Sequence, residues 1–319
     1  MESNRDSASE AIPRESRATG KRLLVTGASG NLGGFLCRLA RKAGWEVVGG
    51  FHRNPSDIPG VRWAKSDLSR DRDIAAVLAE IRPEAVIHAA AVADIGACEA
   101  EPEETRRINV DASARIAGWC AENRIPMAFA STDMVFGGDR APYRETDGPA
   151  PVCRYGAQKA EAEHRVADLW PEAAICRLPL LYGFGRGARE TFDARMASDF
   201  RKGRPVRLFR DEFRTPADLE SAAAGILEML GRVRGLVHLG GPERVSRLET
   251  GRVLADLLGA DPDLLVSVRQ RDVPGAALRP ADLSLDSRRA FDFGYRPRDL
   301  REGYGRMLVF LDGADETGR

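Results

Sequence analysis

No apolar run in this 319-residue sequence approaches the roughly 20 residues that cross a bilayer, so a membrane is not an expected partner. Charge of one sign is also missing. With 48 Lys and Arg against 48 Asp and Glu, no global positive field would hold the chain on nucleic acid, although local basic clusters can still bind phosphates. Cysteine is sparse: Cys37, Cys98, Cys120, Cys153 and Cys176 are odd in number and never spaced C-x-x-C, which argues against a disulfide framework and a zinc site. A reducing cytoplasm is the expected location. The histidines lack metal-ligand spacing, so His88 is expected in a core or backbone role and no metal is expected. Residues 1–20 carry both charge signs and no apolar core, which predicts a disordered leader and no secretory signal.

What is present is an ordinary globular composition, 43% hydrophobic and 30% charged. A chain of this length suggests about two domains, or one large α/β domain with a smaller appendage. From residue 22 to 136, short apolar runs alternate with amphipathic stretches in the rhythm of βαβ units. Strands are expected over 22–27, 46–51, 61–65, 85–90, 127–135 and 173–182, and helices over 32–42, 71–81, 101–123 and 155–170. This predicts a doubly wound parallel α/β sheet. Beyond residue 183, helices are expected over 191–202, 217–230, 246–258 and 300–311. Strands are expected over 205–209, 235–239 and 264–269. No flexible linker marks a boundary, so the smaller substrate domain, mainly 184–319, is expected to interleave with the first, 21–183.

The segment RLLVTGASGNLGGFLCRLA runs from strand through turn into helix, with Gly27, Gly30 and Gly33 spaced G-x-x-G-x-x-G. Glycine lets backbone amides approach a pyrophosphate, and the positive end of the following helix lies beneath that anion. The expected dinucleotide contacts here are Gly27, Gly30, Asn31, Leu32 and Gly33. Where an NAD-binding unit usually carries an acid for the ribose hydroxyls stand His52 and Arg53, which suit a 2′-phosphate and favour NADP(H) over NAD(H). Asp67 and Leu68 end the third strand, where a carboxylate can receive an adenine amino group. Ala89, Ala90 and Ala91 leave space for a ribose and phosphates beside the fourth.

Tyr155 and Lys159 lie four apart in YGAQK, on one face of a helix. An ammonium beside a phenol favours the phenolate, so the expectation is a lowered Tyr155 pKa and proton exchange with a carbonyl or alcohol. The chain uses only five lysines, and a compact point charge suits position 159. Upstream, Ser131 and Thr132 close the fifth strand at the end where such sheets bind ligands, and Thr132 is placed to hydrogen-bond the same carbonyl oxygen.

With these pieces assembled, the sequence resembles the extended short-chain dehydrogenase/reductases, within them the dTDP-4-dehydrorhamnose reductase group. The matching motifs are TGASGNLGG, VIHAAA, INVDA, STDMVFGG, PYRETD, YGAQK, RLPLLYG, EFRTPADL and RPADLSLD, spread over residues 23–286. The resemblance implies a Rossmann domain and hydride transfer from a reduced nicotinamide cofactor to a keto sugar on a nucleoside diphosphate. It implies that Thr132, Tyr155 and Lys159 form the catalytic triad, that Tyr155 and Lys159 also contact the cofactor, Lys159 holding the nicotinamide ribose, and that Asn109 helps place the lysine through water. Asp133, Arg214 and Arg279 join Thr132 as implied substrate contacts, the arginines toward a diphosphate. Such proteins often pair as homodimers. Met134 stands where family members commonly carry Tyr, and Val152 and Cys153 stand where a polar residue often does; these departures bear on which sugar is bound. Two alternatives stay open: an epimerase or dehydratase of the same group, and a regulatory subunit that binds a dinucleotide without reducing anything.

Overall fold

The apolar runs of the first half are nearly continuous and not alternating, as expected of parallel strands covered on both faces. The computed structural model describes residues 20–184, 191–273 and 280–315, with side chains to Val309. In it β1 (Arg22–Thr26), β2 (Glu46–Phe51), β3 (Arg62–Lys65), β4 (Ala85–His88), β5 (Met127–Thr132) and β6 (Ala174–Leu178) pair in parallel. Three short strands follow in chain order, β7 (Leu181–Tyr182), β8 (Val206–Phe209) and β9 (Phe213–Arg214), then β10 (Ala217–Asp218). β11 (Gly235–His238) returns from the C-terminal half to pair with β6, completing a seven-stranded sheet in the order β11-β6-β5-β4-β1-β2-β3. The fold is a doubly wound α/β sheet with its order reversing between β1 and β4.

One face is covered by α1 (Asn31–Lys42), and the other by α2 (Asp71–Ile81). Short helices α3 (Ile95–Ala100) and α4 (Pro102–Arg106) lead into α5 (Ala112–Asn123), which packs on the α2 face with α6 (Arg154–Leu169). After α7 (Phe192–Arg201), α8 (Leu219–Met229) joins α1: its Ala222, Ala223 and Ile226 share a core with Leu36, Cys37 and Ala40. A smaller lobe forms where α7, α9 (Arg247–Leu257) and the terminal α11 (Leu300–Asp315) bury Met196, Leu254 and Tyr304 together. It adds β12 (Val245–Ser246), β13 (Leu265–Val268) and α10 (Arg288–Asp292). None of the helices described is long and apolar enough to cross a membrane.

Three expected elements end differently. The strand over 127–135 stops at Thr132, because the Thr132 hydroxyl accepts the Met134 amide at 3.2 Å and turns the chain into a 3₁₀ turn, Asp133–Val135. The strand over 173–182 divides into β6 and β7 around Pro179, which has no amide to donate. The helix over 101–123 is interrupted by a π turn at Arg107–Asp111, a widening that often marks functional sites.

Candidate active site

Between β1 and α1 the chain runs close against the end of β4. Gly27 has φ +67°, and a Cβ there would lie 2.8 Å from the Ala90 backbone; one on Gly33 would lie 2.1 Å from the Gly27 carbonyl oxygen. The N-cap of α1 is Gly30, which has no side chain to cap the first amides. Above this turn opens a cleft of about 340 Å³. Gly27, Gly30, His52, Asp67, Leu68, Ala89, Ala90 and Ala91 all line it. Asn31, Leu32 and Gly33 are not among its lining residues: they form the first turn of α1, with Leu32 packed into the core. Arg53 lies outside the lining too, exposed to solvent beyond His52. Ser66 also lines the cleft, and among the described residues its buried hydroxyl oxygen has no hydrogen-bond partner. Its neighbour Asp67 accepts from the Ser69 amide at 3.0 Å and hydroxyl at 2.7 Å, bonds that hold its carboxyl below the usual range. A cradle without side chains, a helix that starts at a glycine cap and a buried hydroxyl facing the cleft fit a dinucleotide.

The 89–92 wall of the cleft is clamped from both ends. At one end the Thr26 hydroxyl accepts the Ala90 amide at 3.2 Å and contacts His88 Nδ1 at 2.7 Å, while His88 Nε2 meets Ser113 Oγ at 3.0 Å. At the other, Asn109 Oδ1 accepts the Val92 amide at 2.8 Å and Nδ2 donates to the Val92 carbonyl. Burial, aided by the Lys159 charge, pushes His88 down to about 3, so it bridges as a neutral ring. Asn109, carried on the π turn, donates to Gln158 Oε1 at 2.8 Å. Its contacts are thus to the cleft wall and to the neighbour of Lys159.

At the carboxyl end of β5, α6 brings Tyr155 to Thr132 and Lys159 to the Ala130 carbonyl. The start of α6 is capped by Cys153, whose sulfur accepts the Gly156 amide. Lys159 is 1% exposed; its Nζ donates to the Ala130 carbonyl at 2.7 Å and sits 3.9 Å over the Phe129 ring. Burial lowers it to about 7. The expected lowering of Tyr155 is reversed: burial raises its pKa, the negative charge of Asp133 raises it further, and the Thr132 hydroxyl only partly offsets this. The phenol therefore holds its proton.

Asp133 is 3% exposed, with its own pKa raised to about 6 by burial against the pull of Arg214. Arg214 is equally enclosed: Nη1 donates to the Phe213 carbonyl at 2.8 Å, Nε lies 3.4 Å from Asp133 Oδ2, and Nη2 lies 3.6 Å from Glu212. It ties β9 to the end of β5. Arg279 lies outside the described residues. Thr26, His88 and Ser113 carry no signal as a group in the sequence, because they stand tens of residues apart.

Residues 21–311 match the family described as the RmlD substrate binding domain. The chain belongs to that family. The probable low-salt glycan biosynthesis reductase Agl14 of Haloferax volcanii is 34% identical over 269 residues, 82% of this chain and 88% of that protein. The crystal structure of a hypothetical dTDP-4-dehydrorhamnose reductase from Sulfolobus tokodaii is 31% identical, covering 89% of this chain and 99% of its own, with a TM-score of 0.77. The methionine adenosyltransferase 2 subunit beta of Pongo abelii is 27% identical over 283 residues, 86% of this chain and 83% of its own. As an RmlD-type member of the extended short-chain dehydrogenase/reductases, the chain falls among NAD(P)H-dependent oxidoreductases.

Proposed function

We propose that the chain is an NADP(H)-dependent reductase of the 4-keto group of a nucleoside-diphosphate sugar. The observation that carries this reading is Tyr155 against Thr132, with Lys159 one helical turn further along α6 bonded to the Ala130 carbonyl of β5, in a sheet whose neighbouring strand ends line the glycine-turn cleft. A reduced nicotinamide held there would supply the hydride. Gly27 and Gly30 would hold its pyrophosphate, Ser66 and Asp67 its adenine edge, and His52 with Arg53 a 2′-phosphate. Tyr155, with its proton retained, gives that proton to the carbonyl oxygen, so that C=O with hydride and proton becomes CH–OH. Thr132 orients the oxygen. Lys159, one helical turn along α6, supplies positive charge to the site as the phenol loses its proton.

The test is stoichiometric loss of reduced-cofactor absorbance with a panel of nucleoside-diphosphate keto sugars. Tyr155→Phe should turn over roughly 100 to 10,000-fold more slowly, as for loss of a general acid. Parental turnover by the Phe variant would remove Tyr155 as the proton donor. The likeness to methionine adenosyltransferase 2 subunit beta favours one second reading, a dinucleotide-binding subunit. No turnover across the panel, with co-purification of a separate catalytic chain, would select it.

A further inference from the structure

Beneath Tyr155 and Lys159 lies a buried ion pair that the proposed proton path does not use. Glu163, one helical turn beyond Lys159 on α6, is 5% exposed, and Arg177 on β6 is 1% exposed. Arg177 grips it with two nitrogens, Nη2 to Oε2 at 2.7 Å and Nε to Oε1 at 3.0 Å. The Ser131 hydroxyl donates to Oε1 at 2.5 Å. Ser131 stands between Ala130, whose carbonyl accepts Lys159 Nζ, and Thr132. The carboxylate thus joins the strand end and the helix on which the site is built.

An apolar pair of similar volume would serve the fold as well as this one or better, since burying two charges offsets most of their attraction. What an apolar pair lacks is negative charge one turn from a buried ammonium. The titratable groups around Lys159 are His88 on β4, Tyr155 and Glu163 on α6, and Arg177 on β6 beyond Glu163. His88 is neutral and Tyr155 keeps its proton. Among the described residues, Glu163 is the carboxylate whose charge opposes the burial of Lys159.

We propose that Glu163, oriented by Arg177 and Ser131, is a positioning residue of this site that keeps the buried Lys159 side chain charged. It acts through Lys159 and touches neither substrate nor cofactor. Its catalytic consequence rests on the proposed reductase reading, but its test does not.

Isotopic labelling of lysine in the full chain gives five signals to follow, and Lys159→Met identifies the one that matters. In the parent, Lys159 should titrate near pH 7. Glu163→Gln should lower the Lys159 midpoint by about one pH unit or more and leave the others in place. Because this variant strands the Arg177 guanidinium, Glu163→Gln combined with Arg177→Met tests charge apart from folding. The lowered midpoint should persist in the double variant, and Glu163→Asp should recover most of the parental value. An unchanged midpoint in Glu163→Gln, or a return to the parental midpoint in the double variant, would overturn the proposal. Neither result needs a substrate, so it leaves the turnover assay to judge the reductase reading separately.

Discussion

Alanine in place of Gly27 or Gly33 adds a single methyl group, and the structure has no room for it. At Gly27 the positive φ and the Ala90 backbone at 2.8 Å both oppose a Cβ; at Gly33 the obstacle is the Gly27 carbonyl. Each substitution should destabilise the fold by about 1–3 kcal/mol, measured by urea unfolding. Each should also weaken the thermal shift produced by reduced cofactor, because the backbone that moves is the backbone that would face the pyrophosphate. A normal shift in Gly27→Ala would exclude the turn as a phosphate cradle. These glycines, with Tyr155 and Lys159, could be read from spacing because their relations are local. Ser66, Glu163 and the enclosed setting of Arg214 could not, since each depends on a partner or a wall contributed by another element.

Helix ends show the same division. Arg82 after α2 and Arg124 after α5 adopt left-handed backbone, with φ 46° and 53°. Both are exposed, and such a conformation is unfavourable for any residue with a Cβ. Arg82→Gly and Arg124→Gly should each raise stability by roughly 0.5–1 kcal/mol in urea unfolding, the gain in backbone strain exceeding the extra entropy lost by glycine. The two changes should add, being in separate caps. Composition predicts the helical stretches themselves, but nothing in residues 101–123 announces the π turn that carries Asn109. The turn sits where Asn109 bonds the β4 loop and Gln158 together, a requirement set by elements on either side.

Across the whole molecule, buried histidines set the response to acid. His88, pushed to about 3 by burial, and His238, to about 4, remain neutral in the fold, whereas in the unfolded chain they take up protons near 6.5. Their contribution is therefore complete above about pH 6.5 and is lost as pH falls toward those lower values. Asp133 runs the other way: raised to about 6, it disfavours folding above that pH and is relieved as pH falls toward 3.8. Comparing urea unfolding at about pH 7 and about pH 4.5, His88→Asn should lose about 2 kcal/mol less than the parent. An equal loss in both would mean His88 is not held neutral. The order of elements, the parallel sheet and the family motifs were determined by sequence alone, because hydrophobic period, turn glycines and helix spacing act over a few residues. The tertiary structure decided which of those residues carry charge. Burial of Lys159, Asp133 and His88, and partial burial of Tyr155, removes water from groups far apart in the chain, and desolvation then outweighs the pairwise effects that spacing suggests.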